Sequence, residues 1–219
     1  MYWVEEKEEE PVTVPDDIVD LVFDIRCRAL PVDHAWALEQ AIETALPWWK
    51  DEPRAGVHSI HGAESGNGWY RPEAGDDMLY LSRRTKLVLR LPKERVEEAK
   101  ALTGQTLEIA GHTMEIGKAT VRQLSSLTSL YARHVVTEAA DQEAQFLESA
   151  VAELQGMGIK FKKVLSGRDS VLATPRGEVA TRSLLVAGLG MEDAIRLQQE
   201  GLGPHRKLGC GLFIPHKKV

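Results

Sequence analysis

The chain has 219 residues, 43% of them hydrophobic, which is enough for one large domain or two small ones with real cores. No apolar run approaches the roughly 20 residues that cross a bilayer, the N-terminus has no signal-peptide profile, and two cysteines, Cys27 and Cys210, are too few for a disulfide framework and fit a reducing cytosol. The net charge of −6 argues at first sight against a nucleic-acid partner, but its distribution does not: residues 1–17 hold seven acids and one base and so carry all of it.

Residues 1–17 read as a disordered, acidic, proline-punctuated tail that could also mask a basic surface. From Ile18 to Ala29, apolar Val19, Leu21, Phe23, Ile25 and Cys27 alternate with Asp20, Asp24, Arg26 and Arg28, the pattern of a half-buried strand. Pro31 ends it. Asp33 is the expected N-cap of a helix carrying Ala35, Leu38, Ile42 and Leu46, which Pro47 stops. A short strand is expected over Val57–His61, a glycine- and proline-rich loop over Glu64–Asp77, and one long strand over Met78–Leu91. Pro92 opens a helix that runs to Leu102, and Gly104 closes it. Gln105–Arg122 predicts a strand pair turning at Ala110-Gly111.

The order β-α-β-β-α-β then recurs. Leu130–Thr137 predicts a strand, Asp141–Gln155 a helix stopped by Gly156, Lys160–Leu165 and Ser183–Ala187 strands, Met191–Glu200 a helix, and Leu212–Pro215 the last strand. The economical reading is an α+β chain of two tandem ferredoxin-like (RRM-like, βαββαβ) domains: a tail to residue 17, an N-terminal domain over 18–124 and a C-terminal domain over 125–219. The repeat is topological, since no sequence repeat is visible.

The bases cluster. Residues 79–95 carry Arg83, Arg84, Lys86, Arg90, Lys93 and Arg95 against Glu94 alone, and residues 196–219 carry five bases against Glu200. Clustered basic stretches are the footprint of a polyanion, although salt-bridged solvated surface gives the same count. Arg84, Lys86 and Arg90 are evenly spaced on a strand and are expected to share a face. Near the C-terminus, Gly201-Leu202-Gly203 and Gly209-Cys210-Gly211 bracket five residues that include His205, Arg206 and Lys207. A nucleotide-binding P-loop runs strand, glycine loop, helix and ends in Lys-Ser/Thr; here a helix precedes, a strand follows and that ending is missing. A dinucleotide fingerprint also needs a preceding strand. The remaining choices are a glycine-rich turn or a loop that cradles phosphate.

The double Gly-apolar-Gly pattern resembles the signature of the RAMP proteins of CRISPR systems, in particular the Cas endoribonucleases that cut CRISPR repeat RNA. Further stretches are similar to the MYXAN subtype of that family: Leu30-Pro31-Val32-Asp33-His34, Gly56-Val57-His58-Ser59-Ile60-His61-Gly62, Ser82-Arg83 through Arg90-Leu91-Pro92, and Leu197-Gln198-Gln199-Glu200-Gly201-Leu202-Gly203. The resemblance runs from about Ile18 to Phe213. It implies a tandem ferredoxin-like fold and metal-independent cleavage of precursor CRISPR RNA within repeats, with the 2′-OH attacking the adjacent phosphate to leave a 2′,3′-cyclic phosphate and a 5′-OH. It implies no cofactor and no metal site.

Such chemistry needs a base, an acid and cations on the phosphoryl oxygens, and histidine suits the first two. Of seven histidines, His34 at a helix start, His58 and His61 are the catalytic candidates; residues three apart in a strand point to opposite faces, so only one of His58 and His61 is expected to meet RNA. The zinc reading of His-x-x-His lacks spaced partners. Tyr70, Ser82 and Arg83 are candidate second partners, because the family varies its catalytic set. Arg83, Arg84, Lys86 and Arg90, with the loop residues Gly201, Gly203, His205, Arg206, Lys207, Gly209 and Gly211, are expected to hold the RNA, as a repeat hairpin stem read by shape. His112, His134 and His216 read as ordinary surface or strand residues, and Trp48 and Trp49 as core closure. Other Cas subunits of an effector complex are candidate partners, a membrane is not, and the cytoplasm is the expected location. Two further readings stay open: a non-catalytic RAMP-type subunit that holds crRNA, and a metabolic enzyme on the same fold.

Overall fold

The computed structural model describes residues 14–61, 78–138 and 142–216. The acidic tail to residue 13, the whole of the expected loop at 64–77 with Trp69 and Tyr70, Asp141 and the last three residues lie outside them.

The first half is built on a five-stranded antiparallel sheet in the order β3-β5-β1-β7-β6. These strands are β1 (Ile18–Arg26), β3 (Gly56–Val57), β5 (Lys86–Pro92), β6 (Thr106–Ile109) and β7 (His112–Arg122). Helix α1 (Ala35–Ala45) links β1 to β3, and a short helix α2 (Val96–Ala99), flanked by tight 3-10 turns, links β5 to β6. One face of the sheet offers Val19, Leu21 and Phe23 with Leu87, Leu89 and Leu91, and these pack with Leu38, Ile42 and Leu46 and with Leu102 into one core. Trp49 closes it, wholly buried, on the turn that Pro47 starts.

The second half uses a four-stranded antiparallel sheet in the order β11-β8-β10-β9. Its strands are β8 (Ser129–Val136), β9 (Lys163–Thr174), β10 (Gly177–Ala187) and β11 (Phe213–Pro215), with helices α3 (Glu143–Gly156) and α4 (Met191–Glu200) between them. Phe146, Ala150 and Leu154 of α3, Ala194 and Leu197 of α4 and the inward residues Leu130, Leu184, Val186 and Phe213 form a separate core. The chain is thus a mixed α/β protein with antiparallel sheets. Each half runs strand, helix, strand, strand, helix, strand, with β6 added to the first.

Local expectations fail where tertiary pairing intervenes. The long strand over Met78–Leu91 is two: β4 (Met78–Tyr80) pairs only with β2 (Ala29–Pro31), and a turn closed by Thr85 N–H on Ser82 O precedes β5. The helix after Pro92 is a single α turn. Conversely, β9 and β10 are a long continuous hairpin through residues 166–182, which polar residues and Gly167 hide from an apolar-pattern search. Asp33 caps nothing; it accepts a hydrogen bond from Ala173 N–H in β9 at 2.9 Å, and His34 takes the N-cap position.

The alternation in β1 holds, but its polar face is not simply solvated. Asp20 is 3% exposed, because the second half covers that end of the sheet. Asp20 pairs across the ladder with Arg90 on one side and Arg122 on the other.

Candidate active site

The two halves meet along a seam in which the glycine loop is a structural part. Gly211 N–H donates to His134 O at 2.7 Å, and Leu202 N–H to Gly211 O at 3.1 Å. A Cβ on Gly211 would stand 2.1 Å from Leu202 O, and one on Gly209 would stand 2.5 Å from Ser59 Oγ and 3.1 Å from Val57 O. Both glycines have positive φ (68° and 87°), which no side chain adopts cheaply. Leu208 and Cys210 sink into a third apolar cluster with Ala35 and Trp36 of α1 and Val136 and Leu172 of the second sheet.

The cations of this loop divide. Arg206 donates to the carbonyls of Glu200, Gln199 and Arg54, which ties α4 to the first half. Burial, with Arg90 nearby, lowers its pKa to about 10, still cationic at neutral pH. Lys207 donates to Lys50 O. His205, in the left-handed conformation, is exposed, and a Cβ on Gly203 would meet nothing within 4 Å. Gly201 is buried at the end of α4, where a Cβ would meet Gly211 O at 2.6 Å. The loop is therefore largely a seam, in contrast to an open phosphate cradle.

Arg90 is a correction to the expected basic row. It is 1% exposed and spends its donors on Asp20, Gln198 O and Phe213 O. Even spacing does place it on the face of Lys86, but the second half covers its end of that face. Lys86 stays exposed in an ion pair with Asp24. Arg83 and Arg84 are exposed in the turn before β5.

At the uncovered end lies a groove of about 1050 Å³. Arg26, Arg28, Arg83, Lys86 and Lys118 line it against Asp24 and Glu115, a basic surface. Ser82 stands at its edge. Arg26, Arg28 and Lys118 are absent from the expected set: the first two lie outside the basic clusters of the sequence, and Lys118 joins them only through the β1–β7 pairing.

The three candidate histidines come to neighbouring positions with distinct partners. His34 is buried at the start of α1, and its Nδ1 lies 2.8 Å from Pro31 O. A carbonyl only accepts, so Nδ1 carries the proton and Nε2 holds the lone pair of the neutral ring. His58 extends the β3–β5 ladder through its N–H on Val88 O, and its ring turns inward, with Nε2 3.5 Å from Asp20 Oδ1. Burial pushes its pKa down against the pull of the Asp20 carboxylate. His61, past the end of the strand, leaves that inner environment. Its Nδ1 lies 2.9 Å from Ser59 O, and Arg133 Nη2 lies 2.8 Å from its Nε2. Arginine only donates, so Nε2 accepts and Nδ1–H donates to Ser59 O. Burial first, then the Arg133 charge, lowers the His61 pKa to about 4; the Ser59 carbonyl opposes this, and charges on His58 and His34 reinforce it.

Arg133 is a residue the sequence reading missed. Its signal is a basic pair, Arg133-His134, within the otherwise apolar strand β8. His134 Nδ1 lies 3.1 Å from both Ser170 Oγ and Thr181 Oγ1, a polar knot between β8, β9 and β10. Among the described residues no group of three or more His, Cys, Asp or Glu is placed to hold a metal ion, and no helix is long and apolar enough to cross a membrane.

Fold and site together define a class: an α/β protein of two main antiparallel sheets joined at a glycine-rich seam, with clustered histidines near that seam and a basic groove at the uncovered end of the first sheet. Comparison with known proteins gives the family. The model of the Cas6 CRISPR family matches residues 19–218, and the chain belongs to that family. It is 33% identical over 197 residues to the CRISPR-associated endonuclease Cas6 of Myxococcus xanthus (strain DK1622), covering 90% of this chain and 81% of that one. Among solved structures, a CRISPR-associated protein Cas6 superposes with a TM-score of 0.64 at 11% identity, over 91% of this chain and all of the other. A Cas6-related protein from Pyrococcus furiosus gives 0.57 at 12% identity over 90% and 97% of the two chains. A RAMP protein described as binding different RNA substrates gives 0.57 at 13%, over 91% and 100%. These likenesses carry the fold.

Proposed function

We propose that the chain is an endoribonuclease that cleaves precursor CRISPR RNA within its repeats, with His34 and His61 as the proton-transfer pair. The observation that carries this reading is that both side chains hold Nδ1–H on a main-chain carbonyl, so that Nε2 bears the lone pair of each neutral ring, and that His34 lies near enough to His61 to act on its charge. A family member 33% identical and named an endonuclease supports it. His58, turned to Asp20, acts as a structural partner in this reading.

The reaction is attack of a 2′-hydroxyl on the adjacent phosphate. It leaves a 2′,3′-cyclic phosphate and a 5′-hydroxyl and needs no metal, because a base, an acid and a guanidinium supply its three requirements. The repeat stem runs along the groove of Arg26, Arg28, Arg83, Lys86 and Lys118, held through phosphates. Arg84, next to Arg83 in the same turn, is a candidate contact beside it, and His205 and Lys207 are candidate contacts at the glycine loop. The halves are read as tandem ferredoxin-like domains over 18–124 and 125–219, on the strand orders and the two separate cores. The test is incubation with repeat RNA in EDTA. A single cut with a cyclic-phosphate end supports the reading. Binding without cutting would instead identify a subunit that only holds crRNA.

A further inference from the structure

The contact between Arg133 and His61 crosses the seam. Arg133 stands on β8 of the second sheet, and His61 lies 72 residues earlier, beyond β3 of the first. The ring is in the tautomer a base requires, since Ser59 O holds Nδ1–H. Its lone pair is covered by a cation.

A neutral imidazole is a weaker partner for a guanidinium than an anion is. Arginine's planar fork matches two oxygens of a phosphate, and a charge-assisted bond to an anion is roughly twice as strong as one to a neutral acceptor. Among the described residues, Arg133 from β8, His58 from its own segment and His34 from the start of α1 each oppose a proton on the His61 ring, while the Ser59 carbonyl favours it. A phosphate arriving here reverses the local field and competes for Arg133.

Resting on the reading of the chain as a repeat-RNA endoribonuclease, we infer that Arg133 is a further catalytic residue, which covers His61 Nε2 in the RNA-free protein and moves to the scissile phosphate when RNA binds, leaving His61 as the base for the 2′-hydroxyl. In the step that follows, the 2′-oxygen forms its bond to phosphorus and its proton passes to His61 Nε2. The bond from phosphorus to the 5′-oxygen breaks, and that oxygen takes a proton from protonated His34 Nε2. Arg133 holds the non-bridging oxygens as charge builds on them. Exchange with solvent then deprotonates His61 and reprotonates His34. Cleavage without RNA-induced release is avoided, because the base is covered until its substrate uncovers it.

The experiment is histidine titration by NMR with ¹⁵N-labelled imidazoles, alongside single-turnover cleavage. The RNA-free wild-type protein is expected to show His61 titrating near 4. Arg133→Gln without RNA, and the wild type bound to repeat RNA carrying a 2′-deoxy nucleotide at the mapped cut, are each expected to raise that value by about one unit or more. Arg133→Gln is expected to slow cleavage roughly 100-fold or more, with the acid limb of its pH–rate profile displaced, and Arg133→Lys to fall between. Unchanged His61 titration in both the variant and the RNA complex would overturn the inference, as would cleavage by Arg133→Gln at the wild-type rate. Failure of the wild-type protein to cut repeat RNA would overturn the endoribonuclease reading itself, and the catalytic role with it; the RNA-free titration separates that result from loss of the Arg133–His61 coupling alone.

Discussion

Asp20 and Arg90 face each other across the first sheet, joined by hydrogen bonds of 2.8 Å from Nε and 3.2 Å from Nη2, with 5% and 1% of their side chains exposed. Arg90 also reaches across the seam to Gln198 O and Phe213 O, so one ion pair fixes the first sheet to α4 and β11 of the second half. Burial opposes the charge on Asp20, but Arg90 and His58 outweigh it and hold its carboxyl well below the usual range. Arg122 adds a second guanidinium at 3.0 Å.

This pair gives the first prediction. Arg90→Ala leaves a buried carboxylate with weaker partners, and the expected loss is about 3–5 kcal/mol of folding stability. Asp20→Ala strands the guanidinium and is expected to cost a similar amount. The double variant loses less than the sum, since the second change removes an already unpaired charge. Urea denaturation of the three proteins checks this, and additive losses would show that the two residues do not act as a unit.

The glycine loop gives a graded series. Gly211→Ala puts a methyl 2.1 Å from Leu202 O, main chain that cannot swing aside. It is expected to destabilise by more than about 2 kcal/mol, the sum of strain at φ 68° and overpacking. Gly203→Ala shares the positive φ but meets nothing within 4 Å, so only the backbone strain of about 1–2 kcal/mol remains. Equal losses at the two positions would show that close approach does not set the need for glycine here.

His61 links pH to stability. Its folded pKa of about 4 lies below the ordinary 6.5, so between those values the unfolded chain binds more protons than the folded one. Stability is complete above pH 6.5 and falls on acidification, by at most about 2 kcal/mol between pH 7 and 5 for this group. His58 acts in the same direction. The Asp20 contribution is present above its unfolded value and is lost only as pH falls through its depressed folded value. Urea midpoints at pH 7 and 5 for the wild type and His61→Gln measure the slope; the variant's is expected to be flatter.

Cleavage separates the histidines. His34→Ala and His61→Ala are each expected to slow single-turnover cutting by roughly 10²–10⁴-fold while RNA affinity changes little. His58→Ala is expected to lower stability and leave the rate of the folded protein near the wild type. A large rate loss at His58 with His61 silent would exchange their roles.

The groove is tested by salt. Lys118→Ala and Arg83→Ala are each expected to weaken repeat-RNA binding and to reduce the slope of log K against log salt by about one. Anisotropy titrations across a series of KCl concentrations read both effects, and unchanged slopes would remove the groove from the RNA path.

Sequence alone determined the family and the main strand–helix order of each half, because the alternation in β1, the helix stop at Pro47 and the paired Gly-apolar-Gly steps are local patterns. It also determined which side chains could move protons, because few residue types titrate near neutrality. Only the tertiary structure decided what each one faces. Arg90 and Lys86 lie on one face of one strand, yet the first is sealed under the second half and the second is exposed. His58 and His61 are three residues apart, yet one turns to Asp20 and the other to Arg133, 72 positions away. Spacing along a strand fixes the face a residue takes, and the partner covering that face comes from a distant part of the chain. The glycine loop shows the same division: its pattern names the family, while packing against Val57, Ser59 and Leu202 makes it mainly a seam.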